Sequence, residues 1–214
     1  INGGYYNLYF TYAQQSAQNM SDSNGITIIG NRFTNAYYSA IYSDYYAYFR
    51  CINYNTITSR SNSAAFLGIF LSNFQSPRQI IGNRINIVGT AEVMGINLTN
   101  FHNLNAYGAS TAGLLANNEI IAQSTSSNYS VYGINLNNSP HYYVYNNSIF
   151  SKSNNNLARG IYVRGSNNKA FCDIEYNNIM VQGKEIAYAL YIDDTNNVYG
   201  KIDYNNYFTN SKYL

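Results

Sequence analysis

An Asn-x-apolar triplet recurs along this sequence, and its spacing constrains the fold more than any other feature. The seven copies begin at Asn31, Asn55, Asn83, Asn118, Asn147, Asn177 and Asn206. They cover 175 residues in six intervals, which gives a mean period of about 29 residues. A period of this size is typical of solenoids, in which every repeat forms one turn of a continuous stack.

A second signature alternates with the first and consists of a small residue followed by apolar-x-apolar. Its copies are Gly68-Ile69-Phe70-Leu71, Gly95-Ile96-Asn97-Leu98, Gly133-Ile134-Asn135-Leu136, Gly160-Ile161-Tyr162-Val163 and Ala189-Leu190-Tyr191-Ile192, with a degenerate copy at Ala40-Ile41-Tyr42-Ser43. Side chains alternate between the two faces of a strand, so Ile69 and Leu71 should point inward and Phe70 outward.

Together the two signatures predict an all-β chain, a right-handed parallel β-helix of about seven coils. No coil can bury its apolar face alone, so neighbouring coils must stack into one core. The asparagine of the triplet suits a corner, because asparagine tolerates the left-handed conformation. We also expect the seven triplet asparagines to form a ladder, with amides that hydrogen-bond from coil to coil.

Composition agrees with a β-rich fold and excludes some functions. Charged residues make up 10% of the chain, against roughly 25% in an ordinary soluble domain. Hydrophobic residues reach 46%, which argues against disorder. The net charge of +2 comes from scattered residues, which does not suit a nucleic-acid partner. No apolar run approaches the 18 or so residues that membrane insertion requires.

The repeat resembles those of the pectate-lyase-like superfamily, and most closely its carbohydrate-binding and sugar-hydrolase type. The resemblance rests on Gly-Ile-x-Leu, a polar turn and Asn-x-Ile, and covers about residues 26–208. It implies an extracellular or cell-surface protein, often bacterial, but not a particular activity. We expect an irregular coil or partial cap over residues 1–25, with a possible short helix at 12–20. The repeats would occupy 26–214 and be flanked by further segments of a parent chain.

Catalytic and metal-binding signals are weak. Asp193-Asp194 is the only adjacent carboxylate pair, and acid–base glycoside hydrolysis needs two carboxylates. However, Asp194 aligns with turn residues Asn73, Asn100 and Asn138, which favours a structural role. The Gly-His-Gly and Arg-x-Lys segments of the related hydrolases are absent, as is the Arg-x-Pro-x-x-Arg segment of the lyases. We expect no cofactor and no metal.

The two cysteines should be free and buried. Cys51 and Cys172 precede corner asparagines four coils apart, which at about 4.8 Å per coil is roughly 19 Å. A disulfide needs Cα atoms within about 7 Å. Of the two histidines, His141 aligns with a turn position. His102 falls in a 20-residue spacing between Leu98 and Asn118, where residues 101–110 should form a protruding loop that also carries Tyr107.

The best binding-site candidate is aromatic. The outward position of the second signature holds Tyr42, Phe70, Asn97, Asn135, Tyr162 and Tyr191, which should form one exposed ladder. Aromatic faces stack on sugar rings and amides bond their hydroxyls, although tyrosine ladders also stabilise a sheet by themselves. Together with His102 and Tyr107, these residues could bind a polysaccharide or surface glycan.

Two functions therefore stay open. The first is a non-catalytic adhesin, stalk or glycan-binding module. The second is a polysaccharide lyase or glycoside hydrolase that uses Asp193, Asp194 or the 101–110 loop.

Overall fold

The chain folds as a parallel β-solenoid, seen in a computed structural model. The structure describes residues 1–11, 25–44, 49–61, 63–73, 77–100, 112–126, 128–139, 142–154, 157–165, 170–184, 186–193 and 198–210. No helix occurs among these residues, and the strands form three parallel sheets. The predicted fold class is confirmed. The helix expected at 12–20, the 101–110 loop and His141 lie outside the described residues.

Every coil contributes one strand to each sheet in turn. The first sheet contains, in order, β1 (Tyr6–Phe10), β4 (Ser39–Ser43), β7 (Phe66–Ser72), β10 (Val93–Thr99), β13 (Val131–Asn137), β16 (Leu157–Arg164) and β19 (Ile186–Asp193). The second contains β2 (Ile26–Ile29), β5 (Phe49–Asn53), β8 (Pro77–Ile81), β11 (Gly113–Ala116), β14 (Tyr142–Tyr145), β17 (Ala170–Glu175), β20 (Val198–Tyr199) and β21 (Ile202–Asp203). The third contains β3 (Arg32–Ala36), β6 (Thr56–Ser59), β9 (Arg84–Gly89), β12 (Glu119–Ser124), β15 (Ser148–Ser153), β18 (Asn178–Gln182) and β22 (Asn206–Thr209).

The number of coils depends on how the ends are counted. Seven strands follow one another along each sheet path, and five of them have a neighbour on both sides. The solenoid thus has about five fully flanked turns, against the seven coils expected. β1 pairs in parallel with β4, so residues 6–10 already belong to the first sheet.

The core consists of aligned columns of inward side chains. Ile69 and Leu71 are fully buried as predicted, and Ile69 stacks on Ile41 and Ile96. The third sheet supplies the column Phe33, Ile57, Ile85, Ile120, Ile149, Ile179 and Tyr207. Its interior members are 0–3% exposed. In-register stacking of one residue type buries apolar surface at every step, which stabilises the stack.

The glycine of Gly-Ile-x-Leu is needed for close packing. A Cβ on Gly95 would meet the Ile120 Cγ2 atom of the third sheet at 2.5 Å and the Gly133 carbonyl oxygen at 2.5 Å. The first and third sheets approach closely here, so a larger residue would push them apart.

The asparagine ladder is present at the corner between the second and third sheets. Asn118 Oδ1 accepts hydrogen bonds from the Asn83 backbone N–H and Nδ2, both at 3.0 Å. Asn118 Nδ2 donates to Asn147 Oδ1 at 2.9 Å and to the Ile80 carbonyl at 2.8 Å. Thus the amide uses all of its donors and acceptors while only 1% exposed. The same pattern repeats at the other interior ladder positions.

Two details of the predicted ladder are wrong. The last rung is Asn205, whose Oδ1 accepts from Asn177 N and Nδ2 at 2.9 Å. Asn206 instead lies beside Asn178 at the exposed start of β22. The prediction chose the wrong asparagine because Asn205-Asn206-Tyr207 fits the triplet as well as Asn206-Tyr207-Phe208 does. The left-handed residue is also not the ladder asparagine but the one before it. These preceding residues, with φ of 51–68°, are Gly30, Tyr54, Gly82, Asn117, Asn146, Tyr176 and Tyr204.

The prediction for the cysteines is confirmed. Cys51 and Cys172 are free and buried, and they lie in β5 and β17, four strands apart in the second sheet. Burial raises the pKa of Cys172 to about 12. Its thiol is therefore protonated, and so unreactive, at neutral pH.

We predict that Asn177→Ala lowers the free energy of unfolding by about 2–4 kcal/mol. The substitution removes Asn177 Oδ1, which leaves the buried backbone N–H and Nδ2 donors of Asn147 without an acceptor. The matched control is Asn178→Ala, an exposed neighbour, which should change stability by less than about 0.5 kcal/mol. Urea unfolding followed by circular dichroism measures both. Equal losses would mean that the ladder adds no special stability.

Candidate functional site

The predicted outward ladder is in register on the first sheet. Parallel pairing aligns Tyr42, Phe70, Asn97, Asn135, Tyr162 and Tyr191 in one column. Tyr9, which the sequence analysis did not include, extends the column by one coil at its N-terminal end. His102, Tyr107 and Asp194 lie outside the described residues, so the column is the part of the predicted site that the structure describes.

At the N-terminal end of this column the rings stack on one another. The centroids of Tyr9 and Tyr42 are 5.5 Å apart, and those of Tyr42 and Phe70 are 4.6 Å apart, with interplanar angles of 23° and 16°. Tyr6 packs against Tyr42 at 4.8 Å. Each ring of this cluster covers a face of its neighbour. Hydroxyl groups and ring edges, rather than open ring faces, are therefore what most of the cluster offers to a ligand.

The middle of the column is buried rather than exposed, which corrects the prediction. Asn97 is 5% exposed and Asn135 is 7% exposed. Asn135 Nδ2 donates to Asn97 Oδ1 at 2.9 Å, and the Thr99 hydroxyl donates to the same oxygen at 3.0 Å. Asn135 therefore bonds Asn97 instead of facing solvent, while its own Oδ1 is buried and makes no hydrogen bond to the described residues. The pair joins two strands and separates the aromatic clusters at the two ends.

The C-terminal end combines tyrosines with an arginine. The Cζ atom of Arg159 lies 4.7 Å from the ring centroids of both Tyr162 and Tyr191, within the range of cation–π attraction. Arg159 Nη1 donates to the Tyr132 hydroxyl at 2.8 Å. Tyr188 packs on Tyr191 at 4.9 Å. We call these five residues the arginine–tyrosine cluster.

Three members of this cluster were missed in the sequence. Tyr132, Arg159 and Tyr188 are aligned with one another in a second outward column. Each directly precedes the small residue of the second signature, at Gly133, Gly160 and Ala189. The strand therefore exposes two side chains three residues apart, and the position before the small residue is the signal that could have located them.

Asp193 is part of a hydrogen-bonded pair with tyrosine rather than an isolated carboxylate. The Tyr162 hydroxyl donates to Asp193 Oδ2 at 2.9 Å, and Arg164 Nε lies 3.7 Å from the same oxygen. Burial, followed by the hydrogen bond to Asp193, raises the pKa of Tyr162 to about 12. Asp193 therefore orients the Tyr162 ring, which is a structural contribution.

The turns after the first-sheet strands form a second, shorter amide ladder. Asn73, Asn100 and Asn138 all have left-handed backbone, with φ of 50–55°. Asn138 Nδ2 donates to Asn100 Oδ1 at 3.0 Å, and Asn100 Nδ2 to Asn73 Oδ1 at 3.3 Å. The turn alignment inferred from the sequence is thus observed for these three residues.

Other kinds of site receive little support from the described part of the chain. It contains no group of three His, Cys, Asp or Glu side chains placed to hold a metal ion. Among the same residues, no helix is long and apolar enough to cross a membrane. A shallow cavity of about 340 Å³ lies on the third sheet near the Arg84–Glu119 ion pair, whose closest atoms are 3.4 Å apart.

Comparison with known proteins yields no relative. The chain matches no protein-family model, and no curated protein or solved structure is significantly similar to it.

We predict that alkaline pH destabilises the fold through Tyr42 and Tyr162. Burial is the main cause that raises both pKa values to about 12, above the ordinary tyrosine pKa of 10.0. Protons are then held more tightly in the folded chain, so stability present below pH 10 is lost as the pH rises towards 12. The double variant Tyr42→Phe/Tyr162→Phe should show a shallower fall in melting temperature between pH 10 and 12. The exposed control Tyr129→Phe should match the parent, and an unchanged slope in the double variant would contradict the assignment.

Proposed function

We propose that this chain is a non-catalytic solenoid segment of an extracellular or surface protein of the pectate-lyase-like type. In this proposal it serves as an adhesin, stalk or glycan-binding module. Its partners would be a polysaccharide or surface glycan and the flanking segments of a parent chain. The repeat signatures support the family, since Gly-Ile-x-Leu and Asn-x-Ile occupy the inner columns of a parallel solenoid.

The observation that carries glycan binding is the grouping of aromatic rings with polar groups in the arginine–tyrosine cluster. The Tyr191 ring stacks on Tyr162, with centroids 5.8 Å apart and an interplanar angle of 15°. Arg159 lies 4.7 Å from the centroid of the same ring. A sugar ring that packs on this cluster would meet aromatic and hydrogen-bonding groups together.

The polar groups around Tyr191 suit sugar hydroxyls. Arg159 presents a planar fork of N–H donors, of which Nη1 already binds the Tyr132 hydroxyl. Asp193 and the Tyr162 hydroxyl supply acceptors next to it. Because these groups hold one another in place, little side-chain freedom is lost on binding, which favours affinity.

The test is a glycan array with the purified chain, followed by titration of each hit against variants. Tyr191→Ala should weaken binding about two- to tenfold, since an aromatic stacking contact contributes about 0.5–1.5 kcal/mol. The control is Tyr176→Ala, an exposed tyrosine that stacks on Tyr204 at a corner away from the first sheet. It should bind like the parent.

Enzyme assays on the same hits distinguish the alternative function. Reducing ends and absorbance at 235 nm report hydrolysis and lyase products. Product that disappears in Asp193→Asn or Asp194→Asn would replace the binding module with a lyase or hydrolase. Equal binding by Tyr191→Ala and the parent would remove the first-sheet site.

A further inference from the structure

The outer face of the third sheet carries an exposed apolar column that the first-sheet site does not use. Ile121, Phe150, Met180 and Phe208 are aligned in four successive coils. Exposure rises to 36% at Met180 and 54% at Phe208. In the described residues no other ring stacks on Phe208, so its surface differs from that of the interlocked tyrosines on the first sheet.

Beside this column lies a polar cavity of about 370 Å³. Its described lining includes Lys152, Asn154, Gln182, Gly183, Lys184 and Asn210. Parallel pairing sets Lys152 directly beside Gln182, next to the column that holds Phe150 and Met180. The cavity thus joins an apolar surface to a set of charged and amide groups.

Part of the cavity wall is fixed by hydrogen bonds. Asn210 Oδ1 accepts from the Gly183 backbone N–H at 3.0 Å, and Asn154 Nδ2 donates to the Thr125 carbonyl at 3.1 Å. The first bond ties the end of β22 to that of β18, and the second ties the end of β15 to that of β12. The framework around the cavity is therefore held by bonds between successive coils rather than by a single loop.

The cavity also contains three side-chain donors that have no partner among the described residues. Within the described part of the chain, neither the Lys152 nor the Lys184 ammonium has an acidic partner, and the Gln182 amide makes no hydrogen bond. Lys201, by contrast, is paired with Glu175 at 2.9 Å. No described lining residue is a carboxylate, although Glu185 follows Lys184 in the sequence. Two ammonium groups and an amide N–H favour an anionic ligand.

We propose that this cavity binds the anionic group of an acidic polysaccharide, a sulfate or a carboxylate. Lys152 and Lys184 contact the charged group, Gln182 donates a hydrogen bond to it, and the attached sugar ring lies against Met180 and Phe208. This site is separate from the arginine–tyrosine cluster because the two lie on different sheets. It does not rest on the function proposed for that cluster.

Calorimetric titration of the parent chain with three probes tests this site. The probes are a sulfated heparin-type oligosaccharide, an oligogalacturonate and neutral maltohexaose. We expect at least one acidic probe to bind and the neutral one not to bind. The stronger acidic probe identifies whether sulfate or carboxylate is preferred. Affinity should fall as salt concentration rises, because exposed charges are screened.

The variant series separates a built site from general charge attraction. Lys152→Gln/Lys184→Gln should weaken binding about tenfold, and Phe208→Ser should weaken it about threefold. The control Arg32→Gln removes one exposed positive charge from β3, which lies four strands from the Lys152 strand, β15, in the same sheet. It should leave the affinity unchanged. Tyr191→Ala should also leave it unchanged.

Three results would overturn the proposal. These are no binding of either acidic probe, equal binding of the neutral probe, and equal weakening by Arg32→Gln and by either single lysine variant, Lys152→Gln or Lys184→Gln. A loss that appears only with Tyr191→Ala would assign the acidic glycan to the first sheet instead.

Discussion

The buried asparagine amides at the corner between the second and third sheets are the interaction on which this solenoid depends. Successive rungs are separated by 24, 28, 35, 29, 30 and 28 residues, so the coils differ in length by up to eleven residues. From Asn55 onward, the hydrogen bonds between rungs nevertheless stay at 2.9–3.0 Å. A satisfied amide is favourable in the interior and an unsatisfied one is costly, so the ladder fixes the register of each coil. Length differences are taken up elsewhere in the coil, as in the 35-residue step that contains residues 101–111.

Because the register is fixed at this corner, every outward position of the sheets becomes a column as well. On the first sheet the columns collect tyrosines and Arg159, and on the third they collect Phe150, Met180 and Phe208. The same geometry that stabilises the core therefore creates repetitive surfaces, which suit a repetitive ligand such as a polysaccharide. The two surfaces differ in chemistry. The first has interlocked rings and paired charges. The third has an apolar column beside two lysines that have no acidic partner within the described residues.

The sequence predicts the fold well because inward residues obey a strict period. Ile69, Ile96 and Ile134 are buried where the Gly-Ile-x-Leu signature places them. The sequence does not decide which of two adjacent asparagines is a rung of the ladder. Asn205 and Asn206 both fit the triplet, and only the hydrogen bonds from Asn177 identify Asn205 as the rung. Likewise, alternation indicates that Asn97 points outward, but it cannot reveal that neighbouring side chains bury it. The role of Arg159 was hidden because it depends on rings in adjacent coils, far apart in sequence.

Hydrogen exchange of the asparagine side chains, followed by NMR on the ¹⁵N-labelled chain, tests the ladder most directly. Both Nδ2 hydrogens of each interior rung are donated inside the solenoid, so the side-chain amides of Asn55, Asn83, Asn118, Asn147 and Asn177 should exchange slowly. The exposed amide of Asn206 should exchange quickly and serves as the internal reference. If the five rungs exchange as fast as Asn206, the amides are not locked together, and the ladder cannot be what sets the register of the coils.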